Sequence, residues 1–179
     1  MIVPMTMNGS GIRDISRVLS ISCGTVLSVI KSAASVIDEP SVPKRIENLE
    51  LDEFWSFIAK KAQQRWTWYG FDRERKQVTA FVNGRRTDAN CRALYKKVKQ
   101  AWVKTFHSDQ WEAYRKILPL KKHRIGKEGT QNIERRNLTF RTRVKRLQRR
   151  TICFSQSEVM HDAVVKLHIH HLNLQHHHF

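Results

Sequence analysis

Three strand-like segments in succession, followed by alternating helices and strands, restrict this 179-residue chain to few folds. Asn48–Ala59 (NLELDEFWSFIA) is rich in aromatic and β-favouring residues. Arg65–Asp72 alternates Trp66, Trp68 and Gly70 with Thr67, Tyr69 and Phe71. Lys76–Asn83 (KQVTAFVN) is the third segment. The short connections predict a β-meander. Asn83-Gly84 then starts a turn, and Thr87 or Asp88 caps a helix expected to run through Leu94, Val98 and Trp102. Val103–Ser108 reads as a fourth strand ending at Asp109. Gln110–Leu118 is a short helix stopped by Pro119, and Lys121–Ile125 a fifth strand. Thr130 begins a long basic helix expected to continue through Leu147, and Gln156–Leu174 is a final amphipathic segment.

The order β-β-β-α-β-α-β-α resembles the ribonuclease-H-like fold, an α/β architecture with a mixed five-stranded sheet and flanking helices. In that fold the centre of the first strand and the end of the fourth lie side by side. Here those positions hold Asp52 and Asp109.

Ahead of the sheet, Ile12, Ile15, Val18 and Leu19 recur at helical spacing. Ser20-Ile21-Ser22 breaks the run and supplies a cap, and Thr25–Ile30 resumes it. This is the pattern of a helix-turn-helix with Ile15, Leu19, Ile21, Val26 and Ile30 inside, or of a plain helical hairpin. In the first reading the outer face of the second helix, with Thr25, Ser28 and Lys31, enters the DNA major groove. Pro40, Ser41 and Pro43 mark a linker. The expected division is a helix-turn-helix segment over 1–36, a linker over 37–48 and a catalytic domain over 49–179.

Charge narrows the partners. Lys and Arg number 33 against 16 Asp and Glu, a net charge of +17. Residues 1–48 contribute +1, and the thirty residues from Lys121 to Arg150 contribute +10. Such a field calls for a polyanion, and nucleic acid comes before an anionic membrane surface. No apolar run approaches the roughly 20 residues of a membrane span, and no signal peptide is expected. Cys23, Cys91 and Cys153 are too scattered for a disulfide framework or a zinc site, so reduced thiols and no zinc are expected.

In so basic a chain the carboxylates stand out. Asp52, Asp109 and Glu134 occupy positions that the expected fold brings together. Hard divalent cations seek carboxylate oxygens, and two Mg²⁺ ions about 3.5–4 Å apart activate a nucleophile and stabilise the leaving oxygen at a phosphodiester. Each acid also has an ordinary reading. Asp52 or its neighbour Glu53 suits a surface charge, Asp109 a helix cap, and Glu134 a solvated helix face.

The segments "ELDEFWSFI", "HSDQWEAY" and "GTQNIERRNLTFRTRVKRLQRRT", with the helix-turn-helix pattern upstream and "ICFSQSEVMHD" downstream, resemble the transposases of the insertion sequence 1 family. Their DDE motif has 24 residues between the second Asp and the Glu, and residues 110–133 separate Asp109 from Glu134 here. The resemblance implies a DDE recombinase in which Asp52, Asp109 and Glu134 hold two Mg²⁺ ions, or Mn²⁺ in their place. Such enzymes cut transposon ends and join the freed 3′-hydroxyl to target DNA. It also implies DNA as partner, a dimer or higher assembly on that DNA, no membrane association, and a prokaryotic cytoplasmic, nucleoid-associated setting. Arg141, seven residues after Glu134, takes the place of a basic residue that contacts DNA near the scissile phosphate, and Asn137 shares its face. The family's four-Cys zinc finger has no counterpart ahead of the helix-turn-helix in this sequence. A truncated, non-catalytic derivative that binds DNA and represses transposition is the alternative reading.

Arg135, Arg136, Arg141, Lys145 and Arg149 are the expected phosphate contacts of the basic helix. If about six of the eight basic residues between Arg135 and Arg150 meet phosphates, affinity should fall by ~10³-fold or more between about 50 and 200 mM salt. The histidines near the C-terminus are read as neutral or partly exposed imidazoles, His161-Asp162 as a pair beneath the site, and the five tryptophans as core or sheet-face residues rather than base-stacking platforms.

Overall fold

A computed structural model describes residues 1–148 and 152–175. Arg149, Arg150 and His176 to His178 therefore lie outside the described residues. Three helices lead: α1 (Ile2–Met7), α2 (Ile12–Leu19) and α3 (Cys23–Ser35). The sheet and its helices follow as β1 (Arg45–Ile58), β2 (Lys60–Asp72), β3 (Gln77–Gly84), α4 (Asp88–Val98), β4 (Trp102–Ser108), α5 (Glu112–Ile117), β5 (His123–Ile125), α6 (Gln131–Arg143) and α7 (Glu158–Gln175). The strand order is β3-β2-β1-β4-β5. The first three strands are antiparallel, and β1–β4 and β4–β5 are parallel. The result is a mixed five-stranded α/β sheet with flanking helices.

Central β1 buries both faces, which the pleat divides by residue parity. Leu49 and Leu51 join Val98, Tyr114 and Leu118 in a core with α4 and α5. Phe54 joins Phe140, Val165 and Ile169 in a second core with α6 and α7. That second core also takes in Ile15, Val26 and Ile30, so the three leading helices share it with the sheet. β1 begins at Arg45, which pairs with Trp102, inside the stretch expected to be linker.

The leading helices are closed by local chemistry. Asp14 accepts a hydrogen bond from the Gly11 amide at the start of α2. Ser20 ends α2 in the left-handed region, and the Ser22 hydroxyl accepts from the Thr25 amide to cap α3. The two helices meet at a 113° bend. Helix α1 was not expected from the sequence. Among the described residues no single helix is long and apolar enough to cross a membrane.

Two helix ends differ from expectation. Helix α4 stops at Val98, and Trp102 sits on β4 with Arg45 stacked 4.6 Å from its ring centre. Helix α6 stops at Arg143, short of Leu147, and a 3₁₀ turn spans Lys145–Leu147. Tertiary bonds replace helical ones in this turn. The Arg146 carbonyl accepts from Ser56 Oγ of β1, and its guanidinium donates to Ser155 Oγ and the Met160 carbonyl.

Candidate active site and nucleic-acid interface

The parallel register of β1 and β4 builds the site's base. Glu50 pairs with His107, and two residues further along each chain stand Asp52 and Asp109. Alternation puts Asp52 on the same face as Glu50 and Phe54, under α6, and Glu53 on the other. Asp52 accepts from the Glu53 amide at 2.8 Å and from Asn137 Nδ2 at 2.5 Å. Burial, then the charge of Glu53 and in smaller part that of Asp109, push its carboxyl up to about 7. Glu53 is raised too, chiefly by burial, although Tyr114 and Arg86 both donate to it.

Helix α6 is fastened across this point. Asn137 is buried, and its amide is committed at both ends, donating to Asp52 and accepting from Tyr69 Oη at 2.8 Å. This differs from the expected DNA-facing position, because the turn that carries Asn137 packs on β1 and β2. Glu50, a fully buried carboxylate, accepts from Arg73 Nε, Asn132 Nδ2 and the Ile133 amide, each at 2.8 Å. It therefore serves as an internal cap for α6, whose first-turn amides otherwise lack partners. The sequence reading missed Glu50, Arg73 and Tyr69. Its available clue was "ELDE", which puts two acids on one face of an otherwise apolar strand.

Asp109 is exposed, and its Oδ1 accepts from the Trp111 amide at the entry to α5. Glu134 is exposed on the first turn of α6, and Thr130 Oγ1 donates to its Oε1 at 3.1 Å. The fold thus brings Asp52 and Asp109 into electrostatic contact and seats Glu134 on the overlying helix. The three side chains do not converge. Among the described residues no group of three His, Cys, Asp or Glu side chains is placed to hold a metal ion.

The expected DNA contacts divide. Arg135 is exposed, and Arg141 is half-buried one turn beyond Asn137. Arg136 is drawn back onto the protein, 5.2 Å over the Phe71 ring and 3.4 Å from the Lys76 carbonyl, and burial lowers its pKa. Lys145 reaches Asp14 at 3.3 Å. Thr25, Ser28 and Lys31 are exposed along α3, with Thr25 tied to the Ser22 cap. Arg149 lies outside the described residues. His161 and Asp162 do not form a pair: His161 bonds Ser155, while Asp162 binds Arg65. Cys91 is buried, whereas Cys23 is exposed.

A family model described as IS1 transposase matches residues 46–178, which puts the chain among transposases. The iso-IS1n InsB protein of Shigella dysenteriae is 47% identical over 116 residues, covering 65% of this chain and 88% of that one. The IS1 InsB protein of Shigella flexneri is 39% identical over 127 residues, covering 71% and 95%. The chain belongs to the IS1 transposase family. A solved structure, of the simian T-cell lymphotropic virus intasome in complex with PP2A regulatory subunit B56 gamma, matches at 10% identity with a TM-score of 0.47. The match covers 83% of this chain and 61% of that one.

Proposed function

We propose that this chain is a DDE transposase with a ribonuclease-H-like core, cutting and joining transposon ends through Asp52, Asp109 and Glu134. One observation carries the reading. The β1–β4 register pairs Glu50 with His107, two residues short of Asp52 and Asp109, whose charges interact, and Asn137 ties the Glu134-bearing helix to Asp52. The donor chemistry fits Mg²⁺ or Mn²⁺: all three groups are carboxylates, and the raised Asp52 is one whose proton a cation would displace. Asp52 and Asp109 would hold the ions from the sheet. Glu134 would complete the set by leaving Thr130, a side-chain rotation about a helix that is already anchored. When bound, two such ions activate the attacking hydroxyl and stabilise the leaving oxygen of a phosphodiester.

The protein's own groups supply the rest. Tyr69 and Asn137 orient the Asp52 carboxylate, Glu50 and Arg73 fix the start of α6, and Arg135 and Arg141 face the DNA backbone. The helix pair α2–α3, bent by 113°, suits a helix-turn-helix presenting Thr25, Ser28 and Lys31 to a groove. The alternative, a non-catalytic DNA-binding derivative that represses transposition, draws support from the hydrogen bond that holds Glu134 on Thr130.

A Mg²⁺-dependent strand-transfer assay on DNA bearing the element's ends separates the two. Products from the parent that disappear with Asp52→Asn and with Asp109→Asn support the transposase. Salt-sensitive binding without products from any of the three proteins supports the derivative.

A further inference from the structure

The face of β1 opposite Asp52 carries a feature that the proposed chemistry does not use. Trp55 of β1 and Trp66 of β2 stand opposite each other in the ladder. Their rings are 6.3 Å apart and tilted by 34°. The Arg86 guanidinium lies 4.9 Å over Trp66 and 4.8 Å over Trp111. It is fixed there by a 2.7 Å ion pair to the buried carboxylate of Glu53. Trp111 follows Asp109 by two residues and donates its amide to it. A row of flat groups, Trp55–Trp66–Arg86–Trp111, therefore runs from the β1–β2 hairpin to the carboxylate site.

The two ends of the row differ. Trp111 is packed against Trp68 and Tyr114. Trp55 leaves 40% of its surface in water. The surroundings are cationic: Arg86 keeps 38% of its side chain exposed, and Lys60 and Lys61 at the hairpin tip are exposed. Flat aromatic faces beside fixed cations are what an unpaired base and its phosphate require. The interior of a paired duplex cannot use them, because its bases are already stacked on both faces.

We propose that Trp55 and Trp66 form a stacking platform for an unpaired base of a DNA strand that passes Asp109, with Arg86 facing its phosphate. The inference rests on the reading of this chain as a DNA-processing protein. It adds a second class of contact, to bases rather than to backbone, on the face of the sheet away from α6.

The test uses the full chain and one oligonucleotide, containing 2-aminopurine, presented single-stranded and within a duplex closed by hairpin loops at both ends. Trp55→Ala should weaken single-strand binding about 5- to 150-fold, the range that one stacked base contributes on alanine substitution. Duplex affinity should stay unchanged, and Trp55→Phe should recover most of the loss. Equal weakening on both DNAs, or on neither, overturns the platform. Photocrosslinking of the unaltered protein to a 5-iododeoxyuridine strand keeps the test independent of how the variants fold. Adducts at Trp55 or Trp66 support the proposal, and adducts confined to other residues refute it. Asp52-dependent strand transfer without base stacking would refute the platform alone. Base stacking without Asp52-dependent products would leave the platform standing and remove the catalytic reading.

Discussion

Replacing Glu50 by Ala should destabilise the protein more than any single surface change. Its carboxylate is fully buried and has three donors at 2.8 Å, from Arg73, Asn132 and the Ile133 amide. Removing one partner of a buried ion pair costs about 3–5 kcal/mol, because the other is left without compensation. Here Arg73 retains the Gly129 carbonyl, at 2.8 Å, which pulls toward the lower end. The Ile133 amide is buried with no second partner to hand, and an unsatisfied donor of that kind costs about 1–3 kcal/mol, which pulls back up. The net expectation is about 4 kcal/mol, or a fall in Tm of roughly 8–16 °C for a chain of this size. Urea unfolding followed by far-UV circular dichroism measures it. Glu50→Gln, which keeps volume and one acceptor, should lose about half as much. Glu74→Ala, an exposed acid paired with Asn48, should stay near the parent. A Glu50→Ala protein within about 1 kcal/mol of the parent would refute the claim that this carboxylate anchors α6.

Titration of buried groups sets opposite pH trends. The Asp52 carboxyl, raised from 3.8 to about 7, binds its proton more tightly in the folded state. The metal-free protein should therefore lose stability as pH rises from about 4 to about 7, and Asp52→Asn should raise the unfolding free energy at pH 8 but not at pH 4, by the order of 2–4 kcal/mol. His161 is pulled from 6.5 down to about 3, chiefly by burial and then by Arg146 and Arg65. Its contribution is present above pH 6.5 and is lost as pH falls toward 3, so His161→Gln should flatten acid unfolding in that window. On the basic helix, Arg135→Ala should reduce the slope of log affinity against log salt by about one without moving Tm. Arg136→Ala should instead lower Tm, since its guanidinium covers Phe71; identical effects of the two would contradict the division drawn between them.

Much of this molecule is legible in one dimension because its local signals agree. The meander, the Ser22 cap and the position of Asp109 after β4 all follow from periodicity and turn chemistry acting within a dozen residues. The proximity of Asp52 and Asp109 was expected from the resemblance to the ribonuclease-H-like fold, and the β1–β4 register, which pairs Glu50 with His107, leads toward both. Counting by twos puts Asp52 and Glu53 on opposite faces of β1, but both faces are buried, and only the packing of α6 decides which of them carries the site.

What the sequence could not decide depends on partners far away along the chain. Nothing local ends α6 at Arg143, since no Gly or Pro follows; Ser56, Ser155 and Met160 do so by taking the bonds of Arg146. Nothing local separates Arg135 from Arg136, adjacent and identical in type, yet one faces water and the other covers a ring of β2. Asn137 is read by spacing as DNA-facing, and only the packing of α6 on β1 and β2 turns it inward to Asp52 and Tyr69. Charge and periodicity are additive along a chain and can be counted. The choice of which polar group is desolvated, and which donor repays it, is a three-dimensional property that exists only once β1, β2 and α6 have met.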